Sequence, residues 1–201
     1  MNDVTYILVP GLNDQKPLFQ QFYGAIRDRW RHAGMHCTVV SMNWENSETY
    51  ADKKEKVVSC IAAERRKGRR VVLVGISAGA SLAMAIYGIH HDIILGVVSV
   101  GGLLALAKGS ELHVEQVNKS WFRAAQACEN AVAKLTDNQK KRILTFSPLH
   151  DSVIDPERQR LQGARNRLLI SVGHVTSIAL CLFTQQRVVR RFVERLLTSI
   201  S

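Results

Sequence analysis

Short runs that are apolar from end to end alternate with longer runs of helical spacing along most of this chain. The short runs predict six strands, at Val4–Val9, Cys37–Met42, Arg70–Gly75, Ile93–Val100, Arg142–Ser147 and Arg167–Val172. A strand that is apolar on both faces needs cover on both faces, and a mostly parallel sheet between two helical layers provides it. The sequence therefore predicts an α/β fold with three layers, α/β/α, over residues 1–201.

The longer runs place apolar residues on one face of a helix. They predict helices over Leu18–Ala33, Glu48–Lys67, Ala78–Ile89, Val114–Leu135 and Ser177–Leu197. Ser47 is the expected N-cap of the second of these helices. The alternation lapses after the fourth strand, where residues 102–141 contain helical spacing but no strand-like run. We predict that this segment is a short, lid-like helical insertion within a single domain.

The net charge of the chain is high, because 27 Lys and Arg residues stand against 17 Asp and Glu residues and give +10. Proteins with this balance often bind nucleic acids, membrane surfaces or anionic substrates. Here the basic residues are scattered, and no aromatic residues interleave with them as a platform for single strands requires. The sequence therefore predicts a solvated basic surface without a specific nucleic-acid partner, and it leaves an anionic substrate open.

The four cysteines, Cys37, Cys60, Cys128 and Cys181, are widely spaced and form no CxxC pair. Their spacing argues against a zinc cluster and against a disulfide-rich secreted scaffold. No apolar run is long enough to cross a membrane, and Val4–Val9 is shorter than a signal-peptide core. We expect reduced thiols, no bound metal, no membrane partner and a cytoplasmic location, whereas the sequence does not determine the oligomeric state.

One short motif directly follows the third predicted strand and opens the third predicted helix. It is Gly75-Ile76-Ser77-Ala78-Gly79, a G-x-S-x-G. In a nucleophile elbow the serine occupies a tight strand-to-helix turn, and side chains two positions away on either side would collide. The alternative is a glycine-rich turn of a nucleotide-binding fold. It is disfavoured because the chain contains neither G-x-G-x-x-G nor G-x-x-x-x-G-K-[ST].

With this motif in this setting, the chain resembles the α/β-hydrolase family over nearly its whole length. In that family the serine is followed by an acid after a late strand and by a histidine after the last strand. The resemblance implies that the acid is Asp151, in the loop at residues 147–157. Asp155 is the less favoured candidate, because Asp-Pro-Glu is a good helix start. His174, which follows the sixth strand, is then the base.

The resemblance also implies how the strands are arranged. The usual leading antiparallel hairpin of the family is missing, so we expect a minimal form with six parallel strands in the order 2-1-3-4-5-6. Ser77 then lies beside the point where the strand order reverses, which is where open α/β sheets bind ligands.

These three residue types fit covalent acyl transfer. A serine hydroxyl needs a base to take its proton, imidazole is such a base near neutral pH, and a carboxylate fixes the imidazole tautomer. The oxyanion that forms needs backbone donors. The resemblance implies the amides of Ala78 and Leu12, although Pro10 stands where the family usually has a histidine before Gly11.

Candidate substrate-binding residues lie beside these positions and in the insertion. Trp121 and Phe122, within residues 102–141, either line an acyl pocket or pack the insertion onto the body. Asn13 and Ile76 adjoin the expected oxyanion and nucleophile positions, and Val175 follows the expected base.

The first functional hypothesis is a serine hydrolase that cleaves a carboxylic ester or thioester through an acyl-enzyme on Ser77. His174 acts as the general base and Asp151 as the orienting acid, so the enzyme needs no cofactor and takes a small-molecule acyl substrate. Amide hydrolysis and acyl transfer to an acceptor other than water would use the same residues and stay open. The alternative is a non-catalytic protein of the same fold that holds an anionic partner on its basic surface.

Overall fold

The computed structural model describes residues 3–106 and 115–199. Six strands form one sheet: β1 (Val4–Val9), β2 (His36–Val39), β3 (Arg70–Ile76), β4 (Ile94–Val100), β5 (Ile143–His150) and β6 (Arg165–Val172). Neighbouring strands are all parallel, and their order across the sheet is β2-β1-β3-β4-β5-β6. The predicted six-stranded parallel sheet and its strand order are confirmed.

Helices occupy the connections between the strands. They include α1 (Pro17–His32), α2 (Tyr50–Arg66), α3 (Ala78–His90), α4 (Lys119–Lys134), α5 (Asp137–Lys140), α6 (His174–Thr184) and α7 (Gln186–Thr198), with a 3-10 helix at Pro156–Gln159. Helices α2, α3 and α4 pack on one face of the sheet, and α1, α6 and α7 pack on the other. The architecture is therefore the predicted three layers, α/β/α.

Consecutive residues of the central strands serve opposite faces of the sheet, as their period of two requires. In β1, Ile7 and Val9 belong to the core cluster with α2 and α3, whereas Tyr6 and Leu8 belong to the cluster with α1, α6 and α7. Burial of both faces explains why these strands are apolar throughout. It also determines the register, because a slip of one residue would exchange the two sets of side chains.

The edge strand β6 departs from this pattern. The sequence predicts burial on both faces, but Leu168, Ile170 and Val172 are 51%, 87% and 65% exposed, while Leu169 is buried. The reason is topological, because β6 has a neighbouring strand on one side only. In addition, the described part of the chain leaves the face that carries the three exposed side chains uncovered.

Several helix boundaries differ from the prediction, and two of the differences change how an element is described. Helix α2 begins after Thr49 rather than after Ser47, because Thr49 and Asp52 form a reciprocal capping box. The Asp52 carboxylate accepts from the Thr49 amide at 2.8 Å, and the Thr49 hydroxyl accepts from the Asp52 amide at 3.3 Å. The predicted closing helix is in fact two helices, α6 and α7, which meet at Gln185.

The segment at residues 102–141 contributes α4 and α5, and its residues 107–114 lie outside the described part of the chain. The predicted helix start at Val114 falls among those residues. Helix α4 packs closely along α3, since a Cβ added to Gly88 would lie 2.5 Å from the Cβ of Ala131. The α4 part of this segment therefore belongs to the helical layer that also contains α2 and α3. The predicted lid role of the segment stays a prediction.

Among the described residues, no helix is both long enough and apolar enough to cross a membrane. The four cysteines are unpaired, and Cys37, Cys128 and Cys181 are buried. Burial raises the pKa of each of these three thiols well above its usual value, for Cys37 to about 12. They are therefore protonated, unreactive side chains of the core.

Candidate active site

Ser77, Asp151 and His174 come from three different connections and meet at one edge of the sheet. Ser77 directly follows β3, Asp151 directly follows β5, and His174 follows β6 after Gly173. The carboxyl ends of parallel strands lie at the same edge, so the fold carries the three side chains to one place. The structure thus brings together the three residues that the resemblance named.

Ser77 lies in a strained turn between β3 and α3. Its backbone angles are φ 52° and ψ −121°, a conformation that non-glycine residues rarely adopt. The turn is anchored because the Ser77 amide donates to the carbonyl oxygen of Val100 at 2.9 Å. A Cβ on Gly75 would overlap the backbone at the start of α3, and one on Gly79 would overlap the carbonyl oxygen of Val9. Both positions of the motif therefore require glycine, because any side chain there would overlap neighbouring backbone atoms.

A chain of hydrogen bonds joins the three side chains. Oγ of Ser77 lies 2.8 Å from Nε2 of His174, and Nδ1 of His174 lies 2.7 Å from Oδ2 of Asp151. An ionised carboxylate only accepts, so Nδ1–H donates to Asp151 and Nε2 accepts from the hydroxyl of Ser77. In this tautomer the imidazole is ready to take up the serine proton.

The carboxylate of Asp151 is held by four donors. Its Oδ1 accepts from the amides of Val153 at 2.8 Å and Ile154 at 3.1 Å, and its Oδ2 accepts from His174 and from the side-chain amide of Gln159 at 2.8 Å. Burial by itself would raise the pKa of this carboxyl. The hydrogen bonds from His174, Val153 and Ile154 outweigh burial and hold the pKa below its ordinary value. Asp151 is therefore ionised at neutral pH.

Gln159 is a contact of the acid that the sequence analysis missed. It ends the 3-10 helix and is fully buried, and its Nε2 also donates to the carbonyl oxygen of Ile154 at 2.7 Å. Asp155 begins the same helix, where its carboxylate accepts from the amide of Glu157 at 2.9 Å. No local sequence signal distinguishes Gln159, because its position beside Asp151 depends on the path of the whole loop.

Both expected oxyanion donors lie close to Ser77. Ala78 is the first residue of α3, so its amide has no acceptor within the helix. Leu12 lines the same cavity as Ser77, and its amide makes no hydrogen bond to the described residues. The loop passes directly against the nucleophile, since a Cβ on Gly11 would lie 2.9 Å from the Cβ of Ser77.

Three side chains distant in the sequence hold the loop that carries Leu12. Oη of Tyr23 accepts from the amide of Gly11 at 3.3 Å, Nε1 of Trp44 donates to the carbonyl oxygen of Pro10 at 2.9 Å, and the carboxylate of Glu45 accepts from the amide of Asn13 at 2.6 Å. These three contacts hold the loop, in which Pro10 stands where a histidine usually precedes Gly11. A phenol on the buried face of α1 is the sequence signal that could have pointed to Tyr23.

A cavity of about 540 Å³ opens at Ser77 and His174. Among the predicted substrate-binding residues, Asn13, Ile76, Trp121 and Val175 line this cavity. Phe122 does not line it. Successive residues of a helix point about 100° apart, so with Trp121 at the cavity the ring of Phe122 is buried in the core. The prediction that Phe122 contacts the substrate is therefore not supported by its position.

The wall of the cavity is mostly apolar. It is formed by Leu18, Phe19, Phe22 and Tyr23 of α1, by Val153 and Ile154 of the loop after β5, and by Val175, Ile178 and Ala179 of α6, together with Leu103 and Val117. The charged side chains on it are Asp155 and Arg158. No group of three or more His, Cys, Asp or Glu residues in the described ranges could hold a metal ion. The arrangement suits an apolar acyl or alcohol group placed beside Ser77.

No family model matches this sequence, and no curated protein matches it. Solved structures do match. A lipolytic enzyme from the metagenome-derived pair LipS and LipT has a TM-score of 0.65 at 12% identity, covering 98% of this chain and 93% of that one. Est1E from Butyrivibrio proteoclasticus has a TM-score of 0.63 at 13% identity, covering 98% and 88%. A monoacylglycerol lipase from Paleococcus ferrophilus has a TM-score of 0.63 at 14% identity, covering 96% and 94%.

Because the sequence identities are only 12–14%, these likenesses establish the fold alone. They extend over 96–98% of this chain. The chain therefore has the α/β-hydrolase fold, as the sequence resemblance implied.

Proposed function

We propose that this protein is a serine hydrolase that cleaves a carboxylic ester through an acyl-enzyme on Ser77. The observation that carries the proposal is the hydrogen-bonded chain from Ser77 through His174 to Asp151 at an apolar cavity. The similar structures support esters as the substrate class, because two of them are named as a lipolytic enzyme and a monoacylglycerol lipase. A thioester of the same acyl group is the second candidate substrate, since the same groups would attack it.

In the first half of the proposed reaction, Oγ of Ser77 attacks the acyl carbon while Nε2 of His174 takes the hydroxyl proton. The electron pair of the carbonyl bond moves to its oxygen, where the amides of Ala78 and Leu12 donate hydrogen bonds. The carbon–oxygen bond to the alcohol then breaks, and the leaving oxygen receives the proton from the imidazolium. Asp151 stabilises the imidazolium throughout and keeps its own charge.

In the second half, a water molecule replaces the alcohol. His174 takes a proton from the water as the water oxygen attacks the acyl carbon, and the same two amides stabilise the second oxyanion. The bond to Oγ of Ser77 breaks, Oγ recovers the proton from His174, and the carboxylic acid leaves. The cavity of about 540 Å³ holds the apolar acyl group during both steps.

Burst kinetics test this proposal. With p-nitrophenyl acetate and butyrate we expect a burst of one p-nitrophenol per protein chain, followed by slower turnover. Ser77→Ala should remove the burst and lower kcat/KM by about 10,000-fold or more, whereas Ser59→Ala, on exposed α2 surface, should leave both unchanged. Parallel assays with butyryl thioesters rank the two substrate classes. Undiminished hydrolysis by Ser77→Ala would overturn the proposal.

A further inference from the structure

A fully buried lysine binds the loop at residues 42–46, which we call the supporting loop. Lys53, on α2, is 0% exposed, and its Nζ donates to the carbonyl oxygens of Met42 at 3.2 Å and Asn43 at 2.6 Å and to Oδ1 of Asn46 at 2.8 Å. Three acceptors match the three protons of an ammonium group. A buried charge is costly unless its donors are satisfied, so this ammonium is stable only while the supporting loop keeps its position.

A buried carboxylate binds the amides of the same loop. Asp14 is 4% exposed, and its carboxylate accepts from the amides of Met42 at 2.8 Å, Asn43 at 3.0 Å and Trp44 at 3.4 Å. The two peptide groups that flank Asn43 therefore each have their N–H on Asp14 and their C=O on Lys53. Asn43 has a φ of 48°, in the left-handed region that few non-glycine residues adopt. Two buried side chains of opposite charge thus fix this turn of the backbone.

The supporting loop in turn holds the loop beside the nucleophile. Trp44 is 1% exposed, and its Nε1 donates to the carbonyl oxygen of Pro10 at 2.9 Å. The carboxylate of Glu45 accepts from the amide of Asn13 at 2.6 Å. These two contacts lie before and after Leu12 in the sequence, so the position of its amide, the candidate oxyanion donor, depends on the position of the supporting loop.

We propose that Lys53 is a positioning residue of the oxyanion hole and acts on the amide of Leu12 through Trp44. This inference rests on the proposed function and adds to it a residue that does not line the cavity. Without the ammonium, two carbonyl oxygens of the supporting loop lose a buried donor, and the loop gains by moving toward water. Trp44 moves with the loop, and its contact with Pro10 carries the displacement to Leu12.

A positioning role and a purely structural role of Lys53 affect different quantities. An oxyanion donor binds the transition state more strongly than the bound ester, because full negative charge develops only in the transition state. Displacement of the Leu12 amide should therefore lower kcat and change KM little. It should also slow an ester more than the matching thiono ester, in which a sulfur atom, a weak hydrogen-bond acceptor, replaces the carbonyl oxygen. A loss of stability alone changes neither kcat per folded molecule nor the ratio of the two rates.

Lys53→Met tests the proposal, since it keeps most of the unbranched stem and removes the donors. On p-nitrophenyl butyrate we expect kcat per folded molecule to fall about tenfold, with KM changed by less than about twofold. The thiono ester should be slowed much less. The matched control is Thr5→Val, because the hydroxyl of Thr5 is also fully buried and donates to a carboxylate, that of Glu64 at 2.7 Å, but near the amino end of β1. Thr5→Val should lower stability and leave kcat and the ratio of the two rates unchanged.

Trp44→Phe is the milder second variant, because it keeps a ring in the buried site and removes only the Nε1 donor. It should lower kcat and the ratio of the two rates as Lys53→Met does. Since Lys53 acts through Trp44, the double variant should be no slower than the slower single variant. Effects that multiply in the double variant would show that the two side chains act independently and would overturn the proposal. If Lys53→Met does not fold, an unchanged ratio in Trp44→Phe overturns it.

The failure of this inference can be distinguished from the failure of the proposed function. Unchanged kcat in Lys53→Met, with hydrolysis lost in Ser77→Ala, would overturn the positioning role and leave the proposed function standing. Absence of hydrolysis by the unsubstituted protein would count against the proposed function, and hydrogen exchange then decides the contact path without activity. The amides of Gly11 and Asn13 should exchange faster in Lys53→Met than in Thr5→Val. Equal exchange in the two variants would overturn the contact path.

Discussion

The side-chain amide of Gln159 lies 2.8 Å from Oδ2 of Asp151. That oxygen also accepts from Nδ1 of His174 at 2.7 Å, so one carboxylate oxygen is shared between an amide and the imidazole. Gln159 is fully buried, which means that water cannot replace its donor if the side chain is changed. We infer that Gln159 positions the acid and moderates how strongly Asp151 attracts the imidazole proton.

Gln159→Leu should lower kcat/KM by about tenfold, the cost expected for one lost hydrogen bond to a charged group. With one donor fewer, Asp151 becomes a stronger acceptor and favours the protonated imidazole. The acid limb of the profile of kcat/KM against pH should therefore move to higher pH. The measurement is that profile on p-nitrophenyl butyrate.

Gln186→Leu is the control for this change, because Gln186 is also buried and donates to a carbonyl oxygen, that of Leu182, at 2.7 Å. It should lower stability without moving the pH profile. If both variants share the profile of the unsubstituted protein, Gln159 has a structural role only.

Tyr23→Phe should slow acylation by leaving the amide of Gly11 without its acceptor. Gly11 packs against Ser77 and precedes the candidate oxyanion donor Leu12, so looseness there weakens the transition state more than the bound substrate. We expect kcat to fall about tenfold with little change in KM. Tyr50→Phe, a partly buried phenol on α2, is the matched control. An equal effect of the two substitutions would contradict the account.

The acid limb of the activity should report a single protonation. The pKa of Asp151 lies below its ordinary value, because hydrogen bonds outweigh the effect of burial, so this carboxylate stays charged as the pH falls from neutral toward 5. Only protonation of the base then lowers the rate. Where the activity falls with falling pH, log(kcat/KM) should therefore approach a limiting slope of one. A slope of two would show that Asp151 titrates together with His174.

Glu64 should make stability depend on pH in the acid range. Burial alone would raise the pKa of its carboxyl, but hydrogen bonds from Lys67, Arg69 and Thr5 lower it to about 2. Because the folded-state pKa lies below that of the unfolded chain, this stabilisation is fully present above about pH 5. It is lost as the pH falls toward 2.

Urea unfolding of Glu64→Gln measures this contribution. The variant should be less stable by about 2 kcal/mol at pH 7, after allowance for the partly exposed Lys67 and Arg69, and the difference should shrink at pH 3.5. Glu129→Gln, on the exposed face of α4, should show no such difference. A deficit for Glu64→Gln that is independent of pH would contradict the linkage.

The sheet and the turn at Ser77 could be predicted because each leaves a strong pattern in the sequence. Burial on two faces makes Val4–Val9 and its partner strands apolar throughout, and the turn around Ser77 needs glycines at two defined positions. The resemblance to the α/β-hydrolase family named Ser77, Asp151 and His174, each after a predicted strand, and the structure brings the three side chains together.

What could not be predicted depends on contacts between distant segments. Trp44 supports Pro10 across 34 positions of sequence, and no local pattern records that contact. The exposure of Ile170 likewise depends on which layer covers the sheet edge and not on the strand itself, whose sequence resembles that of a buried strand. Phe122 packs in the core and not at the cavity, a choice that its sequence left open because the spacing indicates an apolar helix face but not which neighbour that face meets.

The central claim is that Ser77 is a nucleophile activated by His174, and labelling with a fluorophosphonate tests it most directly. Mass spectrometry of the labelled protein should place one adduct on Ser77, absent in Ser77→Ala and formed far more slowly in His174→Ala. His150→Ala is the control, because His150 neighbours Asp151 in the chain but is exposed. A folded protein that forms no adduct at Ser77, with the fluorophosphonate or with a smaller sulfonyl fluoride, would contradict the account.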